Sequence, residues 1–371
     1  MTVLKERSQT IDVMRGITLA LMIVVNMSIS ETLSYTQLLH APWHGLTLTD
    51  VVFPSFLFVV GAAMSHTVEK YQGLGQAALL SKVLRRGALI FLCGYLLYWF
   101  PFFQFDAAGR LSLLPLDHTR ILGVLQRIAL SWAGAMLILH YGGRRGALVF
   151  CALALLASWW VMARWGDYTL TGNAGLRLDR WLLGDAHLYH GEGIAFDPEG
   201  LLGTLPAIVN VLAGYFAARL LRRHGAGYEG IAKLSLAAGL CVVAALGWSL
   251  VLPINKKLWT SSYVLCTIGI DCFVLALLSY VIDLRGQRRW TYFFAVFGRN
   301  TLFIYLLAEV GMSVLWLVHV GKPSLMEWLY AEGFQGWAGD RNGSLLFSLA
   351  FMFGCWLVGY VLDRRRIYIK L

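Results

Sequence analysis

Ten apolar runs, each long enough to cross a lipid bilayer, dominate this sequence. They fall at about 11–29, 51–68, 87–103, 121–140, 147–163, 202–221, 231–252, 258–282, 300–319 and 344–362. A membrane-spanning helix needs roughly 20 apolar residues, and only 14% of the residues are charged. We therefore predict an all-α, polytopic bundle of about ten transmembrane helices. Asp12 and Arg15 interrupt the start of the first run, so we expect a retained span rather than a signal peptide.

Basic residues occupy every second loop or terminus. The clusters are Lys5 and Arg7; Lys70, Lys82, Arg85 and Arg86; Arg144 and Arg145; Arg219, Arg222, Arg223 and Lys233; Arg285, Arg288 and Arg289; and Arg364, Arg365, Arg366 and Lys370. A formal net charge of +10 would suggest nucleic-acid binding in a soluble protein, but the positive-inside rule explains this distribution better. We predict no nucleic-acid partner, cytoplasmic termini in an inner membrane, and the His40 segment on the opposite side.

The chain carries no linker or low-complexity tract, so we predict one integral-membrane domain over residues 1–371. Its longest segment without a span is the outward loop 165–201, which is aromatic and polar. This composition is used for binding sugars, and it is equally typical of an interfacial belt of Trp and Tyr. The six cysteines all lie in predicted spans without a CxxC pair. We therefore expect neither a metal site nor a disulfide.

The segment HAPWHGLTLTD, which begins at His40, places titratable side chains at the outer lip of the second predicted span. His44 and Asp50 lie in it beside Trp43, and ionisable groups at membrane depth are costly and usually functional. A neutral imidazole suits proton abstraction near neutral pH, and the same ring suits accepting an acyl group. We expect Asp50 to orient His40 if the loop folds back, and the Asn26 amide to polarise a carbonyl. The alternative for a lone histidine is a structural role.

Other charged residues near span ends need partners. We predict pairing of Asp50 with Arg120 or Arg127, and of Glu309 with Lys256, because unpaired charges at this depth are unfavourable. The alternative is an ion-pair network that only fixes helix packing, and we favour that role for Arg127 and Glu309.

At the cytoplasmic face, Asp12 and Arg15 open the first span and Arg299 precedes Asn300 at the start of the ninth. Arginines beside a helix N-terminus suit a phosphate-bearing acyl donor. Simple positive-inside anchoring is the alternative. The sequence contains neither GxxxxGK[ST] nor GxGxxG, which argues against an ATP-driven or dinucleotide-dependent enzyme.

Six segments spread over nearly the full length resemble those of a known family. They are RSQTIDVMRGITLALMIVVN (7–26), HAPWHGLTLTDVVFPSFLFVVG (40–61), RILGVLQRIAL (120–130), FDPEGLLGTLPAIV (196–209), LPINKKLWTSSYVL (252–265) and GRNTLFIYLLAE (298–309). In this order they resemble the heparan-alpha-glucosaminide N-acetyltransferase family and its bacterial NagX-type relatives in the transmembrane acyltransferase superfamily. The resemblance implies transfer of an acetyl group from cytoplasmic acetyl-CoA to an amino sugar on the far side of the membrane.

The resemblance also implies roles for residues in the matched segments. The catalytic histidine of the family falls on His40, with Asn26 and Asp50 as further catalytic positions. For acyl-donor binding the resemblance points to Arg120 and Asn300, and these join Asp12, Arg15 and Arg299, which we predict from their place at the cytoplasmic face. Substrate binding is assigned to Trp43, His44, Lys256, Trp259 and Glu309. No metal is expected.

Bacteria make no heparan sulfate for lysosomal breakdown, so we expect another amino sugar or a related glycan as the acceptor. The long N-terminal lumenal domain of the animal enzymes is expected to be absent. An amino-sugar transporter that uses no acyl donor is the alternative function. The small-residue surface from Gly87 to Gly94 suggests a homodimer within the lipid.

Overall fold

The computed structural model describes residues 9–71, 73, 75–105, 109–225 and 227–369, and these form helices joined by short loops and one small hairpin. The basic residues Lys5, Arg7 and Lys370 lie outside the described residues. The α-helices are α1 Gln9–Asn26, α2 Leu48–Tyr71, α3 Gln76–Trp99, α4 Val124–Tyr141, α5 Gly143–Trp165, α6 Ala174–Leu183, α7 Leu201–His224, α8 Tyr228–Ser249, α9 Ser261–Leu278, α10 Thr291–Arg299, α11 Thr301–Leu317, α12 Leu325–Tyr330, α13 Gly336–Ala338 and α14 Asp340–Arg364.

Short elements complete the fold. Strands β1 Phe103–Phe105 and β2 Leu111–Leu113 form an antiparallel hairpin between α3 and α4. The 3₁₀ turns are Thr36–Leu38 and Asp185–His187, and the π-helical turns are Ser279–Leu284, directly after α9, and Ala331–Gln335, directly after α12.

Seven helices within the described ranges are long and apolar enough to cross a membrane, and the bent pair α10 and α11 brings the number to as many as eight. The axes of that pair differ by 84°. Helices α3 and α4 occupy the two other predicted positions, but charged residues such as Arg86 and Arg127 make them more polar. A helix therefore lies at each of the ten predicted runs, which confirms an all-α, polytopic membrane protein.

Two helix boundaries differ from the prediction for identifiable reasons. Helix α3 begins at Gln76 rather than near residue 87, because Lys82, Arg85 and Arg86 continue the helix beyond the apolar run. Helix α9 begins at Ser261 rather than near residue 258, because the preceding residues form a tight loop in which Asn255 and Thr260 bond to each other. Apolarity predicts where a chain can enter lipid, whereas hydrogen bonding determines where the helix ends.

Side-chain contacts join the helix ends that carry the basic clusters. Thr10 of α1 donates to Asp283 after α9 over 2.7 Å, and Arg222 of α7 pairs with Glu69 of α2 at 3.2 Å. Arg299 of α10 pairs with Asp363 of α14 at 2.7 Å. We call this side of the bundle the basic end, and the opposite side, where α2 begins, the histidine end.

Close backbone approach holds the buried helices together. A Cβ atom on Gly61 of α2 would lie 1.7 Å from the carbonyl oxygen of Val211 in α7, and one on Gly214 of α7 would lie 1.8 Å from that of Phe58. Small residues at helix interfaces permit such contacts, which drive association in lipid. Gly94 of α3 likewise packs on α4 within the chain, so this glycine serves intramolecular packing. Dimerisation through the 87–94 surface stays a prediction.

Replacing Gly214 with alanine should destabilise the bundle, because the new methyl group cannot fit against the α2 backbone. We expect Gly214→Ala to lower the free energy of unfolding by about 1–3 kcal/mol, measured as a lower thermal unfolding temperature in detergent. Gly239→Ala in α8 is the matched control, since a Cβ there has no heavy atom within 4 Å. Equal unfolding temperatures for the two variants would contradict this packing role.

Candidate active site

Asp50 holds the imidazole of His40 at the histidine end of the bundle. The Nδ1 atom of His40 lies 2.7 Å from Oδ1 of Asp50, and the His40 side chain is 44% exposed whereas that of Asp50 is 2% exposed. A carboxylate at Nδ1 assigns the proton to that nitrogen and leaves Nε2 as an acceptor. The loop folds back and so brings Asp50 to His40, whose ring has the orientation that general-base or nucleophilic chemistry requires.

Hydrogen bonds at the start of α2 hold the Asp50 carboxylate in place. Its Oδ2 atom accepts 3.0 Å hydrogen bonds from the backbone N–H of Ala41, the backbone N–H of Thr47 and the Thr47 hydroxyl. Thr47 precedes the helix and Asp50 lies three residues later, the spacing of a capping box. The carboxylate therefore caps the helix and closes the loop from residue 40 to residue 47 at the same time.

Asn255 fastens this loop to the loop before α9. Its Nδ2 atom donates to the carbonyl oxygen of Trp43 over 2.8 Å and lies 3.2 Å from Nδ1 of His44. The Trp43 indole N–H donates to the carbonyl oxygen of Tyr168 in the long outward loop. Burial lowers the pKa of His44 below its usual range. Trp43 and His44 thus hold together the loops around His40, and their predicted role in substrate binding stays a prediction.

The ammonium group of Lys256 lies against the His40 ring. Its Nζ atom lies 3.0 Å from Nε2 and 3.2 Å from Nδ1 of His40. Burial lowers the pKa of Lys256, although Glu199 and Asp50 act in the opposite direction. The predicted pairing of Lys256 with Glu309 is therefore wrong, because the ammonium group lies against the histidine instead. His40 is held between a carboxylate and an amine.

Arg120 has different partners from those predicted. Its guanidinium lies 2.6 Å from both Asp197 and Glu199, and Nη1 lies 3.2 Å from the Tyr98 hydroxyl. The predicted pairing of Asp50 with Arg120 or Arg127 is wrong, since Asp50 uses its oxygens on its own loop. Arg120 also lies at the histidine end, away from the other residues assigned to the acyl donor.

The charges around Arg120 stabilise one another. Burial alone would lower the pKa of Arg120, but its two carboxylate partners outweigh that effect and raise it. Burial would raise the pKa of Glu199, but Arg120, Arg127 and Lys256 outweigh it and lower the value. Burial raises the pKa of Asp197 despite its contact with Arg120. The cluster connects the outward loop to the mouth of the bundle.

Trp259 and Arg127 form a buried stack below the His40 loop. The Arg127 guanidinium lies 4.6 Å from the centre of the Trp259 ring and donates to the carbonyl oxygen of Gly200. The Trp259 indole N–H donates to Asn210, and its side chain is completely buried. The predicted role of Trp259 in substrate binding stays a prediction, and the role favoured for Arg127, helix packing, agrees with its burial.

Asn26 and Glu309 form a separate pair at the same end. The Asn26 amide donates to Oε1 of Glu309 over 3.1 Å, which occupies one of its two amide hydrogens. Tyr305 also hydrogen-bonds to Glu309. The predicted role of Asn26 as a carbonyl-polarising donor stays a prediction.

The residues predicted to bind the acyl donor at the basic end mainly contact one another and the backbone. Asp12 and Arg15 lie 3.3 Å apart, and Arg15 donates to the Gly298 carbonyl. Arg299 is paired with Asp363, and Asn300 exchanges hydrogen bonds with the backbone of residues 367 and 369. These contacts favour the alternative, in which the residues fix helix ends, while donor binding there stays a prediction.

Sequence reasoning missed Asp197, Glu199 and Tyr98 as residues near the site. The signal was present: the segment FDPEG places two carboxylates in an otherwise aromatic loop, and a buried arginine needs such partners. Asp179 was also missed. Its Oδ1 atom accepts from the backbone N–H of Leu201, at the first residue of α7. Spacing along the sequence does not reveal these contacts, since Arg120 and Asp197 are 77 residues apart.

The fold and the site together define a class: a polytopic helical membrane protein whose exposed histidine is oriented by a buried carboxylate at one end of the bundle. The family model described as "Heparan-alpha-glucosaminide N-acetyltransferase, catalytic" matches residues 7–254. The chain therefore belongs to this family.

Two curated proteins named heparan-alpha-glucosaminide N-acetyltransferase are similar to the chain. The protein from Homo sapiens is 30% identical over 84% of this chain and 54% of its own length. The protein from Mus musculus is 29% identical over 82% of this chain and 53% of its own length. The chain thus spans about half the length of these relatives. The matched family range contains Asn26, His40 and Asp50.

Asp179 should make the stability of the protein depend on pH. Burial raises its pKa from 3.8 to about 7, so the folded state retains a proton that the unfolded chain loses earlier. The folded state therefore loses stability as pH rises through this window. The side chain of the Asp179→Asn variant does not titrate. The free energy of unfolding of this variant, relative to that of the unaltered chain, should therefore increase by a few kcal/mol from about pH 4 to about pH 7.

Thermal unfolding of both proteins in one detergent, measured across that range, tests this expectation. Asp185→Asn is the control, because the Asp185 side chain is 61% exposed and pairs only with Arg180 on the surface. Parallel pH profiles for Asp179→Asn and the unaltered chain would contradict the assignment.

Proposed function

We propose that this chain is a transmembrane acetyltransferase. It transfers an acetyl group from acetyl-CoA, taken from the cytoplasm, to an amino sugar or related glycan on the periplasmic side of a bacterial inner membrane. The donor and the acceptor are small-molecule substrates, and the reaction uses no metal. The membership of the family supports N-acetyl transfer, and the chemistry of the histidine end supports His40 as the reacting group.

The contact between His40 and Asp50 is the observation that carries this proposal. Nδ1 donates to a buried carboxylate, so Nε2 is the nitrogen that accepts a proton or an acetyl group. The imidazole is exposed, as a group that meets an external acceptor must be. Lys256 occupies Nε2 with its ammonium group, and the incoming amine would displace this hydrogen bond.

The distribution of charge supports the direction of transfer. The basic clusters of alternate loops fall at the end opposite to His40, and the positive-inside rule assigns that end to the cytoplasm. A donor that enters from the basic end and an acceptor that arrives from the other side would then meet near His40.

The acetyl group can reach the acceptor amine by either of two routes. In direct transfer, the amine nitrogen bonds to the thioester carbonyl carbon, the C–S bond breaks, His40 Nε2 takes the amine proton, and the thiolate leaves and is protonated. In the alternative, Nε2 first bonds to the thioester carbonyl carbon, the C–S bond breaks, and the thiolate leaves and is protonated. The amine nitrogen then bonds to the same carbon, the C–N bond to His40 breaks, and the released Nε2 takes the amine proton. Radiolabelled acetyl retained on the protein without an acceptor distinguishes the second route from the first.

His40→Ala should abolish acetyl transfer. The variant has no group that accepts the proton or the acetyl group, so we expect at least about a hundredfold lower kcat, with acetyl-CoA binding largely preserved. Transfer to glucosamine by the purified protein measures the first quantity, and calorimetric titration with acetyl-CoA measures the second. His319→Ala is the control, because the contact of this exposed side chain is with a backbone oxygen of its own segment.

Unchanged turnover in His40→Ala would refute the role of the histidine. A protein that takes up labelled glucosamine into vesicles without acetylating it would instead support the alternative function, an amino-sugar transporter.

Asp50→Asn should retain the fold of the loop but lose most of the activity. An amide in place of the carboxylate removes the charge that stabilises a protonated imidazole and favours the wrong tautomer, which costs about 10⁴-fold in kcat in related constellations. We expect a decrease of at least about a hundredfold in kcat, measured beside circular dichroism spectra. Equal kcat values for Asp50→Asn and the unaltered chain would contradict this orienting role.

A further inference from the structure

An amine of the chain itself lies beside the nitrogen of His40 at which the proposed reaction takes place. The Nζ atom of Lys256 is 3.0 Å from Nε2 of His40. An acceptor amine that gives its proton to Nε2, or takes an acetyl group from it, has to approach the same nitrogen to about this distance. Lys256 therefore holds an amine in the position of an acceptor before any acceptor arrives.

The loop before α9 fixes the backbone that carries this amine. The backbone N–H of Trp259 donates to the carbonyl oxygen of Lys256 over 3.0 Å, and that of Thr260 donates to the carbonyl oxygen of Asn255 over 3.1 Å. The Asn255 side chain accepts from the backbone N–H of Leu258 over 2.8 Å. The Trp259 side chain at the end of this turn is completely buried. Because the turn is rigid, Nζ stays within reach of the imidazole.

The surroundings of Lys256 favour the neutral amine, which is the nucleophilic form of lysine. Burial lowers the pKa of Lys256 and outweighs the opposite effect of Glu199 and Asp50. The partner of Nζ is an imidazole ring, and no salt bridge joins Lys256 to a carboxylate among the described residues. Lys256 thus combines proximity to His40 with the protonation state that acyl transfer requires.

The next residue along the chain provides a contrast. Nζ of Lys257 lies 2.6 Å from the Glu192 carboxylate and donates to the carbonyl oxygen of Pro42. Lys257 is therefore an ordinary salt-bridged lysine in the same loop. The two neighbours differ in the group that each amine contacts.

We propose that Lys256 is an internal acceptor of the acetyl group, so that the chain acetylates its own Nζ atom when an external acceptor is absent. The inference rests on the proposed function and assigns a site of covalent modification beside the same histidine.

The acetyl group reaches Nζ through the bond changes proposed for the external amine. The Lys256 ammonium group first loses a proton to water. The neutral Nζ bonds to the thioester carbonyl carbon, the C–S bond breaks, Nε2 of His40 takes a proton from Nζ, and the thiolate leaves and is protonated. If Nε2 already carries the acetyl group, the C–N bond to His40 breaks instead and Nε2 takes the same proton. The product is an amide, which is no longer nucleophilic, so the modification persists.

Acetylation of Lys256 would limit the activity of the protein. It removes a positive charge that interacts with Glu199 and Asp50, and it places an acetyl group where the acceptor amine approaches Nε2. A chain that is supplied with donor but not with acceptor should therefore inactivate itself.

Mass spectrometry after incubation with acetyl-CoA tests this site. The purified full chain in detergent is incubated with deuterated acetyl-CoA, without an acceptor, and its peptides are analysed for deuterated acetyl-lysine. We expect at least about tenfold more label on Lys256 than on Lys257. Lys257→Arg should retain the label, and Lys256→Arg should lose it. Glucosamine present from the start should decrease the label, since it competes for the same position.

Two controls identify the origin of the label. Hydroxylamine releases an acetyl group from an imidazole but not from a lysine amide, so it separates label on His40 from label on Lys256. His40→Ala should leave Lys256 unlabelled, because this variant has no group that takes the proton or carries the acetyl group. Circular dichroism spectra show whether the variant is folded.

Activity after the incubation provides a second readout. Incubation with acetyl-CoA alone should lower the later rate of glucosamine acetylation by the unaltered chain in proportion to the labelled fraction. Lys256→Arg should keep its own starting rate through the same incubation, whatever that rate is.

The proposal is overturned if Lys256 and Lys257 are labelled equally, or if folded His40→Ala still labels Lys256. It is also overturned if the unaltered chain acetylates glucosamine while Lys256 stays unmodified, a result that leaves the proposed function intact. Absence of both reactions would refute both. Label on Lys256 in a chain that does not acetylate amino sugars would retain this inference and refute the proposed acceptor.

Discussion

The carboxylate of Asp50 is the group on which the histidine end depends. Its two oxygens accept hydrogen bonds from His40, Ala41 and Thr47, including both the backbone N–H and the hydroxyl of Thr47. Helix capping and orientation of the imidazole are thus the same interaction. Since α2 is packed against α7 through glycine contacts with backbone atoms, the loop that carries His40 is anchored to a closely packed helix pair.

Buried charge organises the surroundings of that histidine. Arg120 joins the start of α4 to the carboxylates of the outward loop, and Asn255 joins the loop before α9 to the loop before α2. Each of these contacts would be costly if one partner were missing, because a charged or polar group would stay unpaired in a medium of low polarity. The site is therefore built from loops that are held by mutually satisfied groups, with Lys256 and His40 facing each other at its opening.

Both ends of the bundle combine polar groups that have partners with buried ones that have none among the described residues. At the basic end, Arg15 and Arg299 have partners within the chain, so these arginines fix helix ends. At the histidine end, the amide of Gln126 has none among the described residues and the carboxylate of Glu309 has no cation. Polar groups left unsatisfied in an otherwise well-packed protein reduce its stability, and binding of a ligand is a common reason for them.

The sequence by itself determined the class of fold, because the length and apolarity of a run are local properties that decide whether a helix can cross a bilayer. It also indicated His40 and Asp50, which lie close enough along the chain for a loop to join them. Only the tertiary structure decided the partners of Arg120, Lys256 and Glu309. His40 and Lys256 are 216 residues apart, and several oppositely charged groups are available to each buried charge. Which of them meet depends on how the helices pack, and no single segment of sequence contains that information.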